Sequence, residues 1–258
     1  MSIRRQAFTL ACLALSFHAA SSAQPAAQAA APKAAAPVDL TGYWVSIVTE
    51  DWRWRMLTPA RGDYASIPIT PSAKKLADAW DPAKDEAAGL QCMAYAAPAL
   101  MRVPGRFRIS WADDTTLKVE SDNGQQIRLL HFRPWSPAKG SAPTWQGDSV
   151  ASWEFPSTRT GAGSNATEVA SAGGFGSLKV MTTHLRPGYL RKNGVPFGAN
   201  TSMTEFWDLN KELNGDQWLT ITTLVDDPDY LQEQWVTALH FKREPNGSKW
   251  DPTPCSAQ

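Results

Sequence analysis

Cysteine and histidine are scarce in this chain of 258 residues, which contains three cysteines and four histidines. The histidines show no paired spacing, and neither Cys92 nor Cys255 has a second cysteine or a histidine close by in the sequence. Protein sites for zinc draw their ligands from these residue types at short spacings. The sequence therefore predicts no metal site.

Three catalytic motifs are also missing. The chain has no phosphate-binding glycine loop between a strand and a helix, no Gly-x-Ser-x-Gly turn and no His-Glu-x-x-His run. These motifs carry the chemistry of nucleotide-binding enzymes, of many serine hydrolases and of many zinc peptidases. Any reaction catalysed here is expected to proceed without a cofactor.

Neither sign of charge dominates, and no apolar run is long. The 25 lysines and arginines balance 25 aspartates and glutamates without a basic stripe, so we expect no nucleic-acid partner. The apolar run at residues 7–20 is shorter than the roughly 20 residues that a membrane-spanning helix needs. The sequence therefore predicts no membrane span.

The first residues have the order of a secretory signal peptide. Arg4 and Arg5 precede the apolar run, and small residues end it, which predicts a signal peptide over 1–23. Residues 24–38 are nearly all Ala, Pro and Gln and are expected to form a disordered linker. The remaining 39–258 should fold as a single β-rich domain, periplasmic or secreted.

Two cysteines remain after the predicted signal peptide, which would remove Cys12. Cys92 and Cys255 would then lie in a compartment where disulfides persist. We expect them to form an intramolecular disulfide. The alternative is a pair of unpaired, buried thiols.

The chain after residue 100 alternates apolar and polar residues with the period of β-strands. In Arg106 to Trp111 the apolar side chains share one face, and Asp- and Asn-Gly-containing turns separate such runs. Thr70-Pro71 followed by residues 72–80, and then 83–94, instead indicate a helical insertion. Further strands are predicted at residues 41–48, 116–121, 125–132, 149–155, 177–184, 202–209, 218–225 and 235–243.

The fold class expected from this pattern is all-β: an antiparallel barrel or sandwich with a short helical insertion. The first strand opens with Gly42-Tyr43-Trp44, which resembles the Gly-x-Trp opening of lipocalin-like barrels, where the tryptophan plugs one end. Closing the sheet would remove its exposed edges. A Gly/Ser/Ala-rich stretch at residues 161–176 is expected to be a flexible loop.

The run from Met181 to Pro196, Met-Thr-Thr-His-Leu-Arg-Pro-Gly-Tyr-Leu-Arg-Lys-Asn-Gly-Val-Pro, resembles a group of exported bacterial proteins of largely unassigned function. The similarity continues through Thr204-Glu205-Phe206 and through residues 221–230. It implies export and a lipocalin-like fold, but it brings no secure reaction with it.

Four residues are candidates for acid-base chemistry. His184 follows a predicted strand, where a neutral imidazole can move a proton near pH 7. Glu205 falls between apolar residues on one strand face, so burial would raise its pKa; the alternative is a salt bridge to Arg186 or Arg191. Asp51 would assist or orient His184, and Tyr189 would donate a hydrogen bond.

A second set of residues is suited to holding an anion or an aromatic ring. Arginine binds carboxylates through two parallel hydrogen bonds, and tryptophan faces attract cations and rings. The alternation Asp-Trp-Arg-Trp-Arg at residues 51–55 fits such a site, although an exposed strand would show the same pattern. The candidate binding residues are Trp52, Arg53, Trp54, Arg55, Tyr64, Arg186 and Arg191.

Twelve tryptophans point to an aromatic-lined cavity, although most are expected to be core residues. The leading hypothesis is a cofactor-independent lyase, of elimination or decarboxylation type, acting on a small aromatic or apolar molecule that bears an anionic group. The alternative is a non-catalytic lipocalin-like carrier of an apolar ligand. A third hypothesis is an envelope protein that binds partner proteins through an exposed apolar patch.

Overall fold

The computed structural model describes residues 30–155 and 176–257. The predicted signal peptide lies outside the described residues, as does almost all of the predicted loop 161–176. From residue 31 onward the described residues belong to one unit.

The described residues form eleven strands, and each predicted strand is present within a few residues of its expected ends. Alternating burial along these strands explains why the pattern was readable from the sequence. The strands are β1 (Gly42–Ile47), β2 (Arg106–Asp113), β3 (Thr116–Ser121), β4 (Ile127–Phe132), β5 (Asp148–Glu154), β6 (Ser177–Thr183), β7 (Gly188–Arg191), β8 (Val195–Phe197), β9 (Ser202–Lys211), β10 (Gln217–Asp226) and β11 (Trp235–Glu244).

Nine of these strands close into a barrel in the order β1-β11-β10-β9-β6-β5-β4-β3-β2, and β1 pairs with both β2 and β11. The all-β barrel is confirmed, so the sandwich alternative is wrong. The pairing is antiparallel except between β4 and β5, which run parallel. The expected wholly antiparallel sheet fails there because residues 133–147 return the chain to the end at which β4 began.

Helices occupy the connection between β1 and β2, as expected. They are α1 (Trp52–Arg55), α2 (Pro71–Asp78), α3 (Pro82–Ala87) and α4 (Ala97–Leu100), with a 3-10 turn at Met93–Tyr95. Thr70 caps α2 by accepting a hydrogen bond from the amide of Ala73. The predicted helix over 83–94 is wrong, because α3 ends at Ala87 and Gly89 adopts a left-handed φ of 69°.

One end of the barrel is covered by two long connections, residues 48–105 between β1 and β2 and residues 184–201 between β6 and β9. We call these two segments the cap. The second segment contains the hairpin of β7 and β8, which is absent from the strands predicted from the sequence. At its turn, Gly194 has a φ of 81°, and a Cβ there would lie 2.3 Å from Trp80, so the close approach of the two segments requires glycine.

The barrel interior is filled by side chains. Phe107 and Phe241 pack edge to face with ring centroids 5.5 Å apart, and Trp207 is fully buried. Trp44 is also fully buried, at the end opposite to the cap, where its indole donates to the carbonyl of Leu40 at 2.9 Å. The strands therefore enclose a core of packed side chains and not a ligand cavity.

Part of the predicted linker contacts the barrel. The indole of Trp153 donates to the carbonyl of Pro32 at 2.8 Å, and the amide of Lys33 donates to the carbonyl of Asp114 at 3.1 Å. The ordered chain thus begins before Asp39, because backbone carbonyls of an Ala/Pro-rich segment still accept hydrogen bonds from buried donors.

Cys92 and Cys255 form the expected disulfide, with an S–S distance of 2.02 Å. The bond joins the chain terminus to the cap next to the 3-10 turn. Thr253 also bridges to Asn123, in the turn between β3 and β4. The C-terminal residues are thereby held against the capped end.

Reduction of the disulfide is expected to lower the free energy of unfolding by about 5 kcal/mol, because the bond closes a loop of more than 160 residues in the unfolded chain. Urea unfolding with and without reductant measures the difference. The double variant Cys92→Ser/Cys255→Ser should show the same loss without reductant and no further loss with it. Equal stability of the oxidised and reduced protein would contradict this expectation.

Candidate functional site

The capped half of the barrel interior contains a buried ion pair. Arg128 on β4 donates through both terminal nitrogens to Glu205 on β9, at 3.1 and 2.7 Å, and both side chains are fully buried. Arg128 also donates to Thr182 at 3.3 Å. Glu205 lies on the inner face, as its position between apolar residues predicted, but its partner is Arg128 and not Arg186 or Arg191.

A cavity of about 390 Å³ lies outside the barrel interior, between the cap and the turn joining β3 to β4. We call it the arginine pocket. Its buried wall combines apolar side chains with guanidinium groups, and its remaining wall follows α1. The lining residues are Trp54, Arg55, Met56, Leu57, Thr58, Ala94, Ala99, Arg102, Val103, Pro104, Asn123, Leu190, Arg191 and Lys192.

Two arginines of this pocket have carboxylate partners. Arg55 lies 3.3 Å from Glu50 and also donates to the carbonyl of Arg102 and to Ser46 on β1, both at 3.0 Å. Arg102 donates to Asp51 at 2.8 Å and lies over the ring of Trp235 at 4.9 Å. One terminal nitrogen of Arg102, Nη1, is buried without a hydrogen-bond partner.

Arg191, at the end of β7, has no carboxylate partner among the described residues. Its terminal nitrogens donate to the carbonyls of Ala65 at 3.0 Å and of Asp63 at 3.4 Å, and to the hydroxyl of Ser66 at 3.0 Å. Its Nε is buried without a partner, and the side chain is only 4 % exposed. Its hydrogen-bond partners are all neutral groups, and the carboxylates of Asp51 and Asp63 stabilise its charge without forming an ion pair with it.

The pKa values of these side chains reflect their burial and the charges around them. Burial lowers the pKa of Arg191 to about 10; the nearby charge of Arg102 acts in the same direction, and the carboxylates of Asp51 and Asp63 act in the opposite one. Burial likewise lowers the pKa of Arg55 to about 10, with the attraction of Glu50 acting in the opposite direction. Both groups remain cationic at neutral pH, so the pocket wall carries positive charge that an anion would offset.

The structure brings together three of the predicted binding residues, since Trp54, Arg55 and Arg191 all line the arginine pocket. Arg191 lies over the ring of Trp54 at 5.3 Å. Asp51 does not line the pocket itself, but its carboxylate accepts a hydrogen bond from Arg102, which does. The alternative of an exposed strand over residues 51–55 is wrong, because these residues form a helical turn.

Trp52 and Arg53 lie on the outer side of that turn. Trp52 is 65 % exposed, and Arg53 donates to Asp63 at 2.8 Å. Neither lines the arginine pocket. A helical turn directs successive side chains about 100° apart, so Arg53 and Arg55 cannot share a face as they would on a strand.

The two predicted tyrosines lie elsewhere in the cap. Tyr64 donates to Asp78 at 2.8 Å. Tyr189 lines a second cavity of about 360 Å³ together with Trp80, and its pKa is raised by burial and by Asp85. Neither tyrosine lines the arginine pocket.

His184 and Arg186 follow β6 and are also outside the pocket. His184 has a left-handed φ of 57°, and its Nδ1 lies 2.7 Å from Asp148. Arg186 is exposed and lies over the ring of Trp145 at 4.6 Å. His184 therefore has an orienting carboxylate, but it is Asp148 and not Glu205 or Asp51.

Arg102 and Lys192 line the pocket and were missed from the sequence. Arg102 interrupts an otherwise apolar stretch, residues 94–103, and a charge in such a stretch signals a buried cation. Lys192 adjoins Arg191 in the run Leu-Arg-Lys-Asn-Gly, where nothing distinguishes it from a surface lysine. Its ammonium lies 5.1 Å from the ring centroid of Tyr95.

Within residues 30–155 and 176–257, no three His, Cys, Asp or Glu side chains are grouped closely enough to hold a metal ion. No helix in these ranges has the length and apolarity to cross a membrane. Comparison with family models, curated proteins and solved structures finds no match for this chain. The candidate function accordingly depends on the geometry of the arginine pocket.

Replacing Glu205 by Ala is expected to cost about 3–5 kcal/mol in the free energy of unfolding, because it leaves the Arg128 guanidinium buried without a counter-charge. Chemical denaturation measures the loss. The double variant Arg128→Met/Glu205→Leu should recover most of it, since apolar side chains of similar size remove both charges. A double variant as unstable as the single one would show that the pair is not the source of the loss.

Proposed function

We propose that this protein binds a small organic anion with an apolar portion in the arginine pocket. The observation that carries the proposal is Arg191, a buried guanidinium on the pocket wall without a carboxylate partner among the described residues. Hydrogen bonds between a guanidinium and an anion are about twice as strong as neutral ones. Asp51 and Asp63 act on Arg191 but form their ion pairs with Arg102 and Arg53, so an anionic ligand would supply the ion pair that Arg191 lacks.

The rest of the pocket supports an organic rather than an inorganic ligand. Ala94, Ala99, Val103 and Leu190 form a buried apolar wall beside the arginines. A volume near 390 Å³ falls within the range of small-molecule sites, which are mostly apolar with a few placed polar groups. This proposal differs from the predicted lipocalin-like carrier of an apolar ligand, because the ligand is an anion and its site lies in the cap.

Export is part of the proposal. A disulfide persists in oxidising compartments, and the Cys92–Cys255 bond therefore fits an exported protein. We propose that the protein acts in the periplasm or outside the cell, where its ligand would be a small molecule met in that compartment.

A cofactor-independent lyase is the second candidate function, and one observation favours it. The imidazole of His184 is oriented by Asp148 at 2.7 Å on a residue with a left-handed backbone. Carboxylate-oriented histidines are common general bases, and unusual backbone conformations cluster at functional sites. In this scheme His184 moves the proton of an elimination or decarboxylation.

Arg191→Gln should weaken binding of a small carboxylate, such as benzoate or hexanoate, about ten- to hundredfold, because one charge-assisted hydrogen bond contributes roughly 1.5–3 kcal/mol. Isothermal titration calorimetry gives the affinity. The affinity of Arg191→Lys should lie between those of the wild type and of Arg191→Gln, because lysine keeps the charge but lacks the planar guanidinium group.

The matched control is Arg186→Gln, which removes an exposed arginine outside the pocket and should leave the affinity unchanged. Quenching of tryptophan fluorescence that disappears in Trp54→Phe would place the ligand beside Trp54. Equal weakening by Arg186→Gln and Arg191→Gln would count against the arginine pocket, because it would indicate unspecific attraction of anions.

His184→Ala separates the two candidate functions. If the protein is a lyase, the rate should fall about 10² to 10⁴-fold while anion binding persists. Product analysis by mass spectrometry of mixtures with aromatic and aliphatic acids measures turnover. Asp148→Asn should reproduce part of the loss; a wild-type protein that binds the acids without converting any of them would exclude the lyase for those compounds.

A further inference from the structure

The arginine pocket has two unlike sides. Arg55, Arg102 and Arg191 are each at most 7 % exposed, whereas Met56 and Leu57 are 57 % and 77 % exposed although they also line the pocket. Lining residues that are largely open to solvent must lie at the mouth. The pocket therefore has cationic groups in its depth and an apolar rim at its opening.

The apolar rim is unusual for a binding site that receives only a small ion. Trp52, which is 65 % exposed, precedes Met56 and Leu57 in the chain, so three exposed large apolar side chains occur within six residues. Contiguous exposed apolar groups are commonly found at binding sites, whereas isolated ones need no explanation. A ligand that covers this rim would remove apolar surface from water, which is favourable for binding.

We infer that the ligand is a single-chain anionic amphiphile, an alkyl chain with a carboxylate or similar head group. The head group contacts the cationic wall formed by Arg102 and Arg191, and the chain leaves the pocket over Met56 and Leu57. This inference rests on the proposed function, because it names the ligand class of the same pocket.

A ligand that lacks either the anionic group or the alkyl chain matches only one side of the pocket. An inorganic or very short anion offsets the buried charge but leaves Met56 and Leu57 in water. A neutral lipid covers the rim but leaves Arg191 without an ion pair, and an alkylammonium ion adds a second cation beside it. Only an anion with a chain matches the depth and the mouth together.

The test is the dependence of affinity on chain length. Titration calorimetry of the folded protein, disulfide intact, with acetate, butanoate, hexanoate and octanoate as monomers should give about fourfold tighter binding for each added methylene, which corresponds to about 0.8 kcal/mol. Octanol and octylammonium should bind far more weakly than octanoate.

Two variants and one control assign the effect to the two sides of the pocket. Met56→Ser/Leu57→Ser should flatten the dependence on chain length, while Arg191→Gln should weaken every member of the series by a similar factor. Leu213→Ser removes a leucine that is even more exposed than Leu57 from the turn between β9 and β10, at the opposite end of the barrel, and should change neither the affinity nor its dependence on chain length. Because Met56 and Leu57 are exposed, their polar replacements are expected to leave urea unfolding unchanged.

Each other outcome overturns the inference in a distinguishable way. If binding depends on Arg191 but not on chain length, the inference of an amphiphile is wrong and the proposed anion site stands. If none of the carboxylates binds, both the amphiphile inference and the proposed anion site are wrong. Association with anionic phospholipid vesicles that requires Met56 and Leu57, without binding of monomeric octanoate, would replace the pocket ligand by a membrane surface.

Discussion

Closing a β-sheet into a barrel leaves two open ends, and each end must be covered without burying unpaired polar groups. In this protein the covering at one end depends on arginines that reach from one segment to another. Arg55 ties α1 to β1 through Ser46, and Arg191 ties the hairpin of β7 and β8 to the carbonyls of Asp63 and Ala65 in the first cap segment. The contacts of Arg191 satisfy backbone carbonyls that have no strand partner.

The same arginines create the electrostatic character of the site. A guanidinium donates several hydrogen bonds in fixed directions, so it can join loops that a lysine could not. It also keeps its charge when buried. Glu50 and Asp51 offset Arg55 and Arg102, but the charge of Arg191 is held by neutral oxygens. The architecture of the cap and the proposed affinity for an anion thus have one physical origin.

The barrel itself has a different role from the one expected of a lipocalin-like container. Its interior is occupied by aromatic and aliphatic side chains together with the buried pair of Arg128 and Glu205, so it acts as a rigid support. The residues of the arginine pocket lie on the connections at one end, and loops held by a rigid scaffold are where binding groups usually occur. His184 with Asp148 lies at the same end, after β6, but outside the arginine pocket.

The sequence by itself determined the strands, because apolar and polar residues that alternate with a period of two form a local pattern. It also determined the disulfide, because only Cys92 and Cys255 remain beyond the predicted signal peptide. It also identified Trp54, Arg55 and Arg191 as members of a binding set. Only the tertiary structure decided that Glu205 pairs with Arg128, that β4 and β5 run parallel, and that Arg102 joins the pocket wall. These outcomes depend on contacts between residues far apart in the chain, which local patterns do not encode.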